Sequence, residues 1–450
     1  TGEEFAPPAG AVSGVRAIGV VRSDYEETVG NGGRTRIRRF SFRADELRDA
    51  DEHLLARRVW LSVVWYGGTG TPAPKYGERW VLSGNIRRRG LRRQPPVMVA
   101  RSGGSEIIAT EKGSVLRAAC LRGRRAAARL LAQGISHDPQ ATGVVHALLL
   151  GYRQRLREDV RNLCRSTGTL HIFAISGLHV GVAAALIVGV LRLMRVSRVR
   201  WVFFLAPLLL AYTGATGLRA SAVRAGLMAV IYWAAPFLGR RPDAASAVAL
   251  AGVVILAAAP AQLADVGFIY SFSVVTGLIA LYPCIEPRLR FLWERDRWRI
   301  QPETAPVAWM RRGGRWMTSL FAVSCCAWLT SSPLTAHFFG LFTPVALLGN
   351  LVVVPLAFLI ILTGCLSLIT GACVGFFAEV FNHGNLVLVN LLLAVMGGLQ
   401  RLPLSQLEVP RPPFWVLAGW YAGLAVVAVV ARPGSRPAHF ESALEDQADR

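Results

Sequence analysis

The stretch from Arg165 to Arg195 constrains the fold most strongly, because its centre is apolar for long enough to cross a bilayer. The same stretch carries His171, Ser176 and His179 within a few helical turns of one another. A polar side chain at that depth is costly unless it faces protein or water, so such residues are candidate functional residues. The segment is therefore predicted to cross a membrane and to contribute to a functional site.

Charged and apolar residues are distributed unevenly along the chain. Residues 1–168 contain 29 Lys and Arg against 16 Asp and Glu, which accounts for +13 of the formal net charge of +22. Apolar runs dominate residues 169–431. We therefore predict a polytopic α-helical membrane protein with an N-terminal β-rich soluble domain. The excess of arginine favours nucleic acid or anionic lipid as a partner, and the positive-inside bias of membrane proteins is the alternative explanation.

Short strand-like runs separated by turn residues occupy residues 1–110. The predicted strands cover residues 11–22, 34–43, 57–66, 78–88 and 97–108. Five strands in about 100 residues fit a small barrel of the OB type, and the face of such a barrel often binds single strands or sugars. We therefore predict an OB-like soluble domain over residues 1–110.

A barrel that binds single-stranded DNA needs a basic groove and aromatic rings on which bases stack. The candidate residues for this role are Arg87, Arg88, Arg89, Arg92, Arg93, Trp60 and Trp65. The alternatives are that the tryptophans fill the core of the barrel and that the arginines form a solvated turn.

Three further regions follow the predicted barrel. Residues 111–165 read as an amphipathic helical connector whose arginines would lie at lipid headgroups. Residues 166–431 form the predicted transmembrane domain, with about eight spans, several of them short enough to be kinked or partial. Residues 432–450 are a polar tail that we expect to be disordered.

Loop charges orient the predicted spans. Arginines follow the first, third and fifth spans, namely Arg192, Arg195, Arg198, Arg200, Arg240, Arg241, Arg288, Arg290, Arg311, Arg312 and Arg315. The loops at 215–218 and 260–265 carry no Lys or Arg. The positive-inside rule then places the arginine-rich loops in the cytoplasm and the barrel outside. The arginines at 153–165 argue for the opposite orientation.

Four sequence blocks resemble the ComEC family of competence proteins, which carry transforming DNA across the bacterial inner membrane. The blocks read GTLHIFAISGLHV (168–180), TGATGLRASAVRAGLM (213–228), APAQLADVGFIYSFSVV (259–275) and SSPLTAHFFGLFTPVALLGNLVVVPL (331–356). The resemblance implies a DNA-uptake channel in the cytoplasmic membrane with an extracytoplasmic OB-like domain. It also implies DNA, membrane lipid, an extracytoplasmic DNA receptor and a cytoplasmic motor as partners.

The family's longer members end in a metallo-β-lactamase-like domain. No His-x-His-x-Asp-His run occurs in this sequence, so we expect this chain to be the form without that domain. We accordingly expect a channel rather than an enzyme.

The ionisable and polar residues of the apolar region form the predicted DNA path or gate. They are His171, Ser176, His179, Arg219, Arg224, Asp265 and Asn350. The alternative for Arg219 is that its side chain extends to the membrane interface. Arg224 lies too deep to reach the interface easily, and a positive charge there would suit a passing polyanion. We predict that Asp265 pairs with Arg224, and the alternative for Asp265 is a helix N-cap. His171 and His179 are placed on one helix but on different faces, which argues against a metal pair.

The sequence predicts no metal site, no cofactor and no ATP-binding loop of the GxxxxGK[ST] type. Cys120 and Cys164 lie outside the predicted spans. They could form a disulfide if their domain faces an oxidising compartment, and two free thiols are the alternative.

Two other functions remain open at this level. AISG at 174–177 is close to the GxSG of intramembrane serine proteases, for which His337 or His383 would have to be the base. A small-solute or lipid transporter is the other alternative, and it predicts binding that does not depend on salt.

Overall fold

A computed structural model of the chain describes residues 12–23, 25–29, 35–68, 74–87, 96–110, 115–152, 156–173, 177–215, 219–293, 304–402 and 406–431. The chain divides into two compact units. The first, called here the barrel unit, comprises Thr1–Arg157, Gly214–Thr216 and Ser367–Glu379. The second, the helical unit, comprises Glu158–Thr213, Gly217–Leu366 and Val380–Arg450.

The described part of the barrel unit contains a six-stranded sheet. Its strands are β1 (Val12–Val21), β2 (Glu26–Val29), β3 (Thr35–Arg48), β4 (Leu54–Gly68), β5 (Glu78–Arg87) and β6 (Val97–Thr110). They are ordered β1-β5-β6-β4-β3-β2, and an additional β1–β3 pairing closes five of them into a ring. The β4–β6 pairing is parallel and the other pairings are antiparallel. The five predicted strands are confirmed, and the short strand β2 was not predicted.

Two glycines allow the ring to close. A Cβ atom at Gly19 would overlap the carbonyl group of Arg43, and one at Gly84 would overlap the carbonyl group of Val99. The register of the strands shifts at both places. Bulges with glycine are the means by which a twisted sheet bends sharply enough to form a closed barrel.

The interior of the barrel is apolar and contains two of the tryptophans. Phe42, Leu61 and Leu82 are at most 1% exposed, and Trp65 and Trp80 are 1% and 2% exposed. These residues belong to one continuous cluster of buried side chains. Burial of such side chains is the main source of stability for a domain of this size.

Two helices of the barrel unit differ from the predicted connector. They are α1 (Val115–Ala132) and α2 (Pro139–Leu150). Nearly all of α2 is buried, so it does not lie with one face among headgroups. Arg124 of α1 is buried as well, and its Nε and Nη2 atoms donate to the carbonyl oxygen of Leu150. The predicted amphipathic connector is therefore wrong for α2, which is mostly apolar and is surrounded by protein.

The helical unit contains the remaining described helices. They are α3 (Glu158–Ser166), α4 (Gly177–Leu193), α5 (Trp201–Ala215), α6 (Ala220–Ala234), α7 (Ala244–Ala258), α8 (Val266–Arg290), α9 (Ala305–Phe339), α10 (Val345–Gly371), α11 (Gly375–Gln400) and α12 (Phe414–Val430). The last residues of α5, and the end of α10 with the start of α11, belong to the barrel unit. Two short strands, β7 (Leu341–Phe342) and β8 (Leu407–Glu408), pair with each other.

Several of these helices are long and apolar enough to cross a membrane. Five such segments are found among the described residues: Ala220–Leu238, Val266–Trp293, Ala305–Phe339, Val345–Gly371 and Gly375–Gln400. Shorter apolar helices cover Gly177–Leu193, Ala244–Ala258 and Phe414–Val430. The predicted class, a polytopic helical membrane protein with an N-terminal β-rich domain, is confirmed. A helix of 15 residues is about 22 Å long, less than the roughly 30 Å of hydrocarbon, so the short helices agree with predicted partial spans.

Candidate functional site

Among the described residues of the helical unit, the buried arginine is Arg224. It lies in the second turn of α6 and is 5% exposed. Its Nη2 atom donates a hydrogen bond of 2.8 Å to the carbonyl oxygen of Gly267, at the start of α8. Arg219 is the N-cap residue of α6 and is half-buried. The structure therefore separates the two predicted arginines, with Arg219 at the helix end and Arg224 inside.

Asp265 lies beside Arg224 and has two roles at once. Its Oδ1 atom accepts a hydrogen bond of 2.8 Å from the backbone N–H of Phe268, which caps the N-terminus of α8. The same atom is 3.9 Å from Nη1 of Arg224. The predicted ion pair and the alternative N-cap are thus both confirmed. At 3.9 Å the pair has no hydrogen bond, so its attraction is Coulombic only.

The guanidinium of Arg224 is incompletely satisfied. Its Nε and Nη1 atoms are buried, and neither has a hydrogen-bond partner among the described residues. A buried donor without an acceptor costs about 1–3 kcal/mol, and more when it is charged. Such a group needs an explanation, and water or a ligand at a functional site is the usual one.

Gly267 makes the approach of the arginine possible. A Cβ atom at this position would lie 3.0 Å from Oδ1 of Asp265 and 3.4 Å from Nη2 of Arg224. Both distances are short, so a larger residue would displace the carboxylate or the guanidinium. Gly267 was not among the predicted residues, although its position two residues after Asp265 was a usable signal.

The two histidines of the predicted histidine-serine cluster, His171 and His179, do not lie on one helix. His171 lies in a 3-10 turn (Leu170–Phe173), is exposed, and its Nδ1 atom contacts the carbonyl oxygen of Gly168 at 3.1 Å. His179 lies on α4, which begins at Gly177, and is 1% exposed. The prediction that both histidines share one helix is wrong, because His171 lies in the 3-10 turn and α4 begins only at Gly177. Ser176 lies outside the described residues, as does the serine-protease alternative that depends on it.

The turn before α4 packs closely on the start of α10. Gly168 has φ +68°, and a Cβ atom there would lie 2.9 Å from both Ala346 Cβ and Thr343 Oγ1. The buried hydroxyls of Thr167 and Thr169 are hydrogen-bonded to each other at 2.8 Å. The first and fourth sequence blocks therefore meet in space. Sequence reasoning missed the two threonines, since a threonine beside an apolar run carries no distinctive signal.

Polar side chains also lie inside the α10 and α11 region. Asn350 is half-buried, and its Oδ1 atom is buried without a hydrogen-bond partner among the described residues. Asn385 is fully buried, and its Oδ1 atom accepts a hydrogen bond of 2.5 Å from Thr363 Oγ1. Its Nδ2 atom has no partner in the described part of the chain. Asn385 was not predicted, although an asparagine within an apolar run was a visible signal.

The predicted DNA-binding residues of the barrel are divided by the structure. Trp60 is 50% exposed, whereas Trp65 is 1% exposed and part of the core. The proposed stacking role of Trp65 is therefore wrong, and the alternative of a core residue holds for it. Arg87 is exposed at the end of β5. Arg88, Arg89, Arg92 and Arg93 lie outside the described residues.

A basic and aromatic strip lies on the outer face of β3, β4 and β6. Cross-strand register places Arg43 opposite Trp60, and Arg101 beside Tyr66. Arg39 lies two residues from Ser41 and four from Arg43, on the same face of β3. Arg39 and Arg101 are exposed, whereas Arg43 and Tyr66 are half-buried. Arg39, Arg43 and Arg101 were not predicted, although their alternation with apolar residues marks them as facing outward.

The described cysteines are free thiols, including Cys120 and Cys164, so the possible disulfide is not formed. Cys164 is buried, and burial raises the pKa of its thiol to about 12. Among the described residues, no group of three or more His, Cys, Asp or Glu side chains could hold a metal ion.

Comparisons with known proteins point to one family. A family model described as "Competence protein" matches residues 148–433. ComE operon protein 3 of Bacillus subtilis (strain 168) is 34% identical over 141 residues, which are 31% of this chain and 18% of that protein. The uncharacterized protein YcaI of Escherichia coli (strain K12) is 33% identical over 97 residues, 20% of this chain and 13% of the relative. The alignments thus span less than a fifth of each relative. No solved structure matches the chain.

Proposed function

The chain belongs to the Competence protein family, and on that premise we propose that it is a channel carrying single-stranded DNA across the cytoplasmic membrane during natural transformation. Arg224 carries the proposal. Its cationic side chain is buried between apolar helices and has two N–H donors without acceptors among the described residues. A transported polyphosphate would supply acceptors and the opposite charge.

Arg224 is held in a way that suits transient contact with phosphate. One strong hydrogen bond to Gly267 fixes the guanidinium, while the carboxylate of Asp265 stays 3.9 Å away. A carboxylate in bidentate contact would neutralise the arginine and hold it permanently. The looser arrangement leaves the charge of Arg224 available to a passing anion. The negative charge of Asp265 would weaken binding of a phosphate there, so that the phosphate is released readily.

The proposed path also includes His171, Ser176, His179, Arg219 and Asn350. His179 and Asn350 support it, since both bring polar atoms into the apolar helical unit. His171 is exposed just before α4, and Arg219 is half-buried at the start of α6. Both would therefore meet DNA near the end of a helix rather than midway along it.

We further propose that the barrel is of the OB type, faces the outside and receives the DNA. Trp60 and Tyr66 would stack on bases, while Arg39, Arg43 and Arg101 would neutralise phosphates. Arg87 and the adjacent Arg88, Arg89, Arg92 and Arg93 would extend this surface. The orientation rests on the arginines at and beyond the C-terminal ends of α4, α6 and α8.

The proposed channel depends on partners for delivery and energy. An extracytoplasmic receptor would hand DNA to the barrel, and a cytoplasmic motor would pull the strand. The sequence contains no GxxxxGK[ST] loop through which the chain could bind ATP for this purpose.

The test is uptake of labelled DNA by cells of a transformable bacterium in which this full chain replaces the resident family member. Arg224→Ala is expected to lower nuclease-resistant internal label by about 10- to 100-fold, the equivalent of one charged hydrogen bond in a buried site. Arg198→Ala, in the exposed loop after α4, is the matched control and should leave uptake unchanged. Normal uptake by the Arg224 variant at normal expression would rule out the channel role.

A further inference from the structure

An open apolar groove of about 440 Å³ runs between α7 and α8. Its α7 wall includes Ala245, Ala249 and Val253, and its α8 wall includes Phe272 and Ile279. Thr276 is the one polar residue in the lining. The groove is formed by two apolar helices of the membrane region, so whatever fills it must be hydrocarbon or another apolar surface.

The width of the groove distinguishes between these occupants. It extends on α7 from Ala245 to Leu256, a rise of about 16 Å at 1.5 Å per residue. A volume of 440 Å³ over that length gives a mean cross-section of about 27 Å², or a slot about 6 Å across. An α-helix needs about 10–12 Å. The groove is therefore slimmer than a whole helix and matches one extended acyl chain.

The two ends of the groove differ in charge. At the Ala245 end, Arg240 and Arg241 are exposed and precede the groove by five and four residues. Asp243 also lies there, where its carboxylate caps α7 by accepting a hydrogen bond of 2.7 Å from the backbone of Ser246. This bonding to Ser246 holds the pKa of Asp243 below its usual range, so the residue is ionised. Two arginines against one carboxylate leave this end positive.

The charged residues near the C-terminus of α8 do not cancel that charge, because Arg288 and Arg290 outweigh Glu286. The Oε1 atom of Glu286 accepts a hydrogen bond of 3.5 Å from Oγ of Ser319 in α9. Arg288 donates to the carbonyl oxygens of Cys284 and Ala431. At the opposite end of the groove, beside Phe268, the half-exposed carboxylate of Asp265 lies 3.9 Å from the buried guanidinium of Arg224, so this end has no excess of positive charge.

From this arrangement we infer that the α7–α8 groove is a specific binding site for an anionic phospholipid, with one acyl chain in the groove and the phosphate at Arg240 and Arg241. Basic residues beside a cleft between membrane helices are the usual means of holding anionic headgroups. The site goes beyond the proposed transport of DNA and does not require it.

The purified full chain in uncharged detergent is titrated with phosphatidylglycerol and, separately, with phosphatidylethanolamine of the same acyl composition. Phosphatidylglycerol should bind more tightly. The double variant Arg240→Gln/Arg241→Gln should weaken its binding by about 30-fold, since each arginine near a headgroup contributes about a factor of five. Val253→Trp, which fills the groove, should abolish binding of both lipids. Leu250→Trp, an exposed position on α7 outside the groove, is the matched control and should bind like the wild type.

Equal binding of the two lipids, or no effect of Val253→Trp, would overturn the inference. A preference for phosphatidylethanolamine that Asp265→Asn removes would also overturn it, because the lipid would then enter from the other end. Competition by glycerol phosphate alone at similar concentration would show a phosphate site without use of the groove. DNA uptake is measured separately, so failure of the lipid site and failure of the channel proposal are distinguishable.

Discussion

The barrel unit and the helical unit both bury arginine side chains, but they satisfy them differently. In the barrel unit, the guanidinium of Arg38 lies between the rings of Tyr25 and Trp65, at 5.4 and 5.1 Å. Arg124 donates twice to one carbonyl oxygen and stacks 3.9 Å above the ring of Tyr152. In the helical unit, Arg224 has one hydrogen bond and two buried donors that no described residue satisfies.

This difference distinguishes buried arginines that stabilise the fold from one that we assign to function. Arg38 and Arg124 are covered by rings and carbonyl groups in the way that makes a buried cation tolerable, so their presence is explained by the fold. Arg224 has buried donors for which the described residues supply no acceptor, so its burial costs more than that of Arg38 or Arg124. A residue whose burial lowers the stability of the fold is a good candidate for a role in function.

Arg124→Met should give the largest loss of stability. The variant removes a charged hydrogen-bonding group from the carbonyl of Leu150 and a cation from the ring of Tyr152, so the free energy of unfolding should fall by about 3 kcal/mol. Denaturant unfolding in detergent measures it. Arg122→Met, exposed on the same helix, should change stability by less than about 0.5 kcal/mol. An equal effect of both variants would contradict a structural role for Arg124.

Trp60→Ala should weaken binding of a single-stranded oligodeoxythymidylate to the full chain by about tenfold, because one stacked base contributes about 1–3 kcal/mol. Fluorescence anisotropy at several salt concentrations measures the affinity. Leu54→Ala, also exposed on β4, is the control. Unchanged affinity would remove the outer strip of the barrel from the proposed function.

Arg224→Met should leave the free energy of unfolding unchanged or raise it by about 1 kcal/mol, because an apolar side chain replaces a buried cation with unsatisfied donors. The same unfolding assay applies. A loss of more than about 2 kcal/mol would place Arg224 with Arg124 as a structural residue and remove the distinction between the two units.

Glu46→Gln should have the smallest effect and should depend on pH. A hydrogen bond from Arg48, followed by its charge, lowers the pKa of Glu46 in the fold. A lowered pKa stabilises the fold above the pKa of the unfolded chain, and that contribution disappears as the pH falls through the folded-state value. The variant should therefore be slightly less stable than wild type at pH 7 and equal to it in strong acid. A constant difference across that range would exclude the ion pair as its cause.

The strands and the tryptophans show how far the sequence could be taken. Alternating apolar residues identified five strands, because period two follows directly from backbone geometry. Trp60 and Trp65 are five positions apart on one strand, so period two already required them to face opposite sides. Selecting both for DNA binding was an error that the pattern itself could have corrected.

The helical unit shows which features could be predicted from the sequence and which could not. The cost of a buried charge identified Arg224 and Asp265 as partners without any structure. The same reasoning failed for His171 and His179, because an apolar run does not reveal a turn that is fixed by contacts with a distant helix. The packing of Gly168 on Ala346, which determines that turn, joins residues about 180 positions apart.

By itself, the sequence determined that the chain enters a membrane, that a β-rich domain precedes the spans, and that a few ionisable residues lie among apolar helices. These features depend on local length, periodicity and transfer energy, which each segment carries independently of its neighbours. Only the tertiary structure decided which face of the barrel bears the strip, how loosely Asp265 holds Arg224, and that a narrow groove opens between α7 and α8. Those properties depend on close packing between distant segments, where a few tenths of an ångström at a residue such as Gly267 decide what fits.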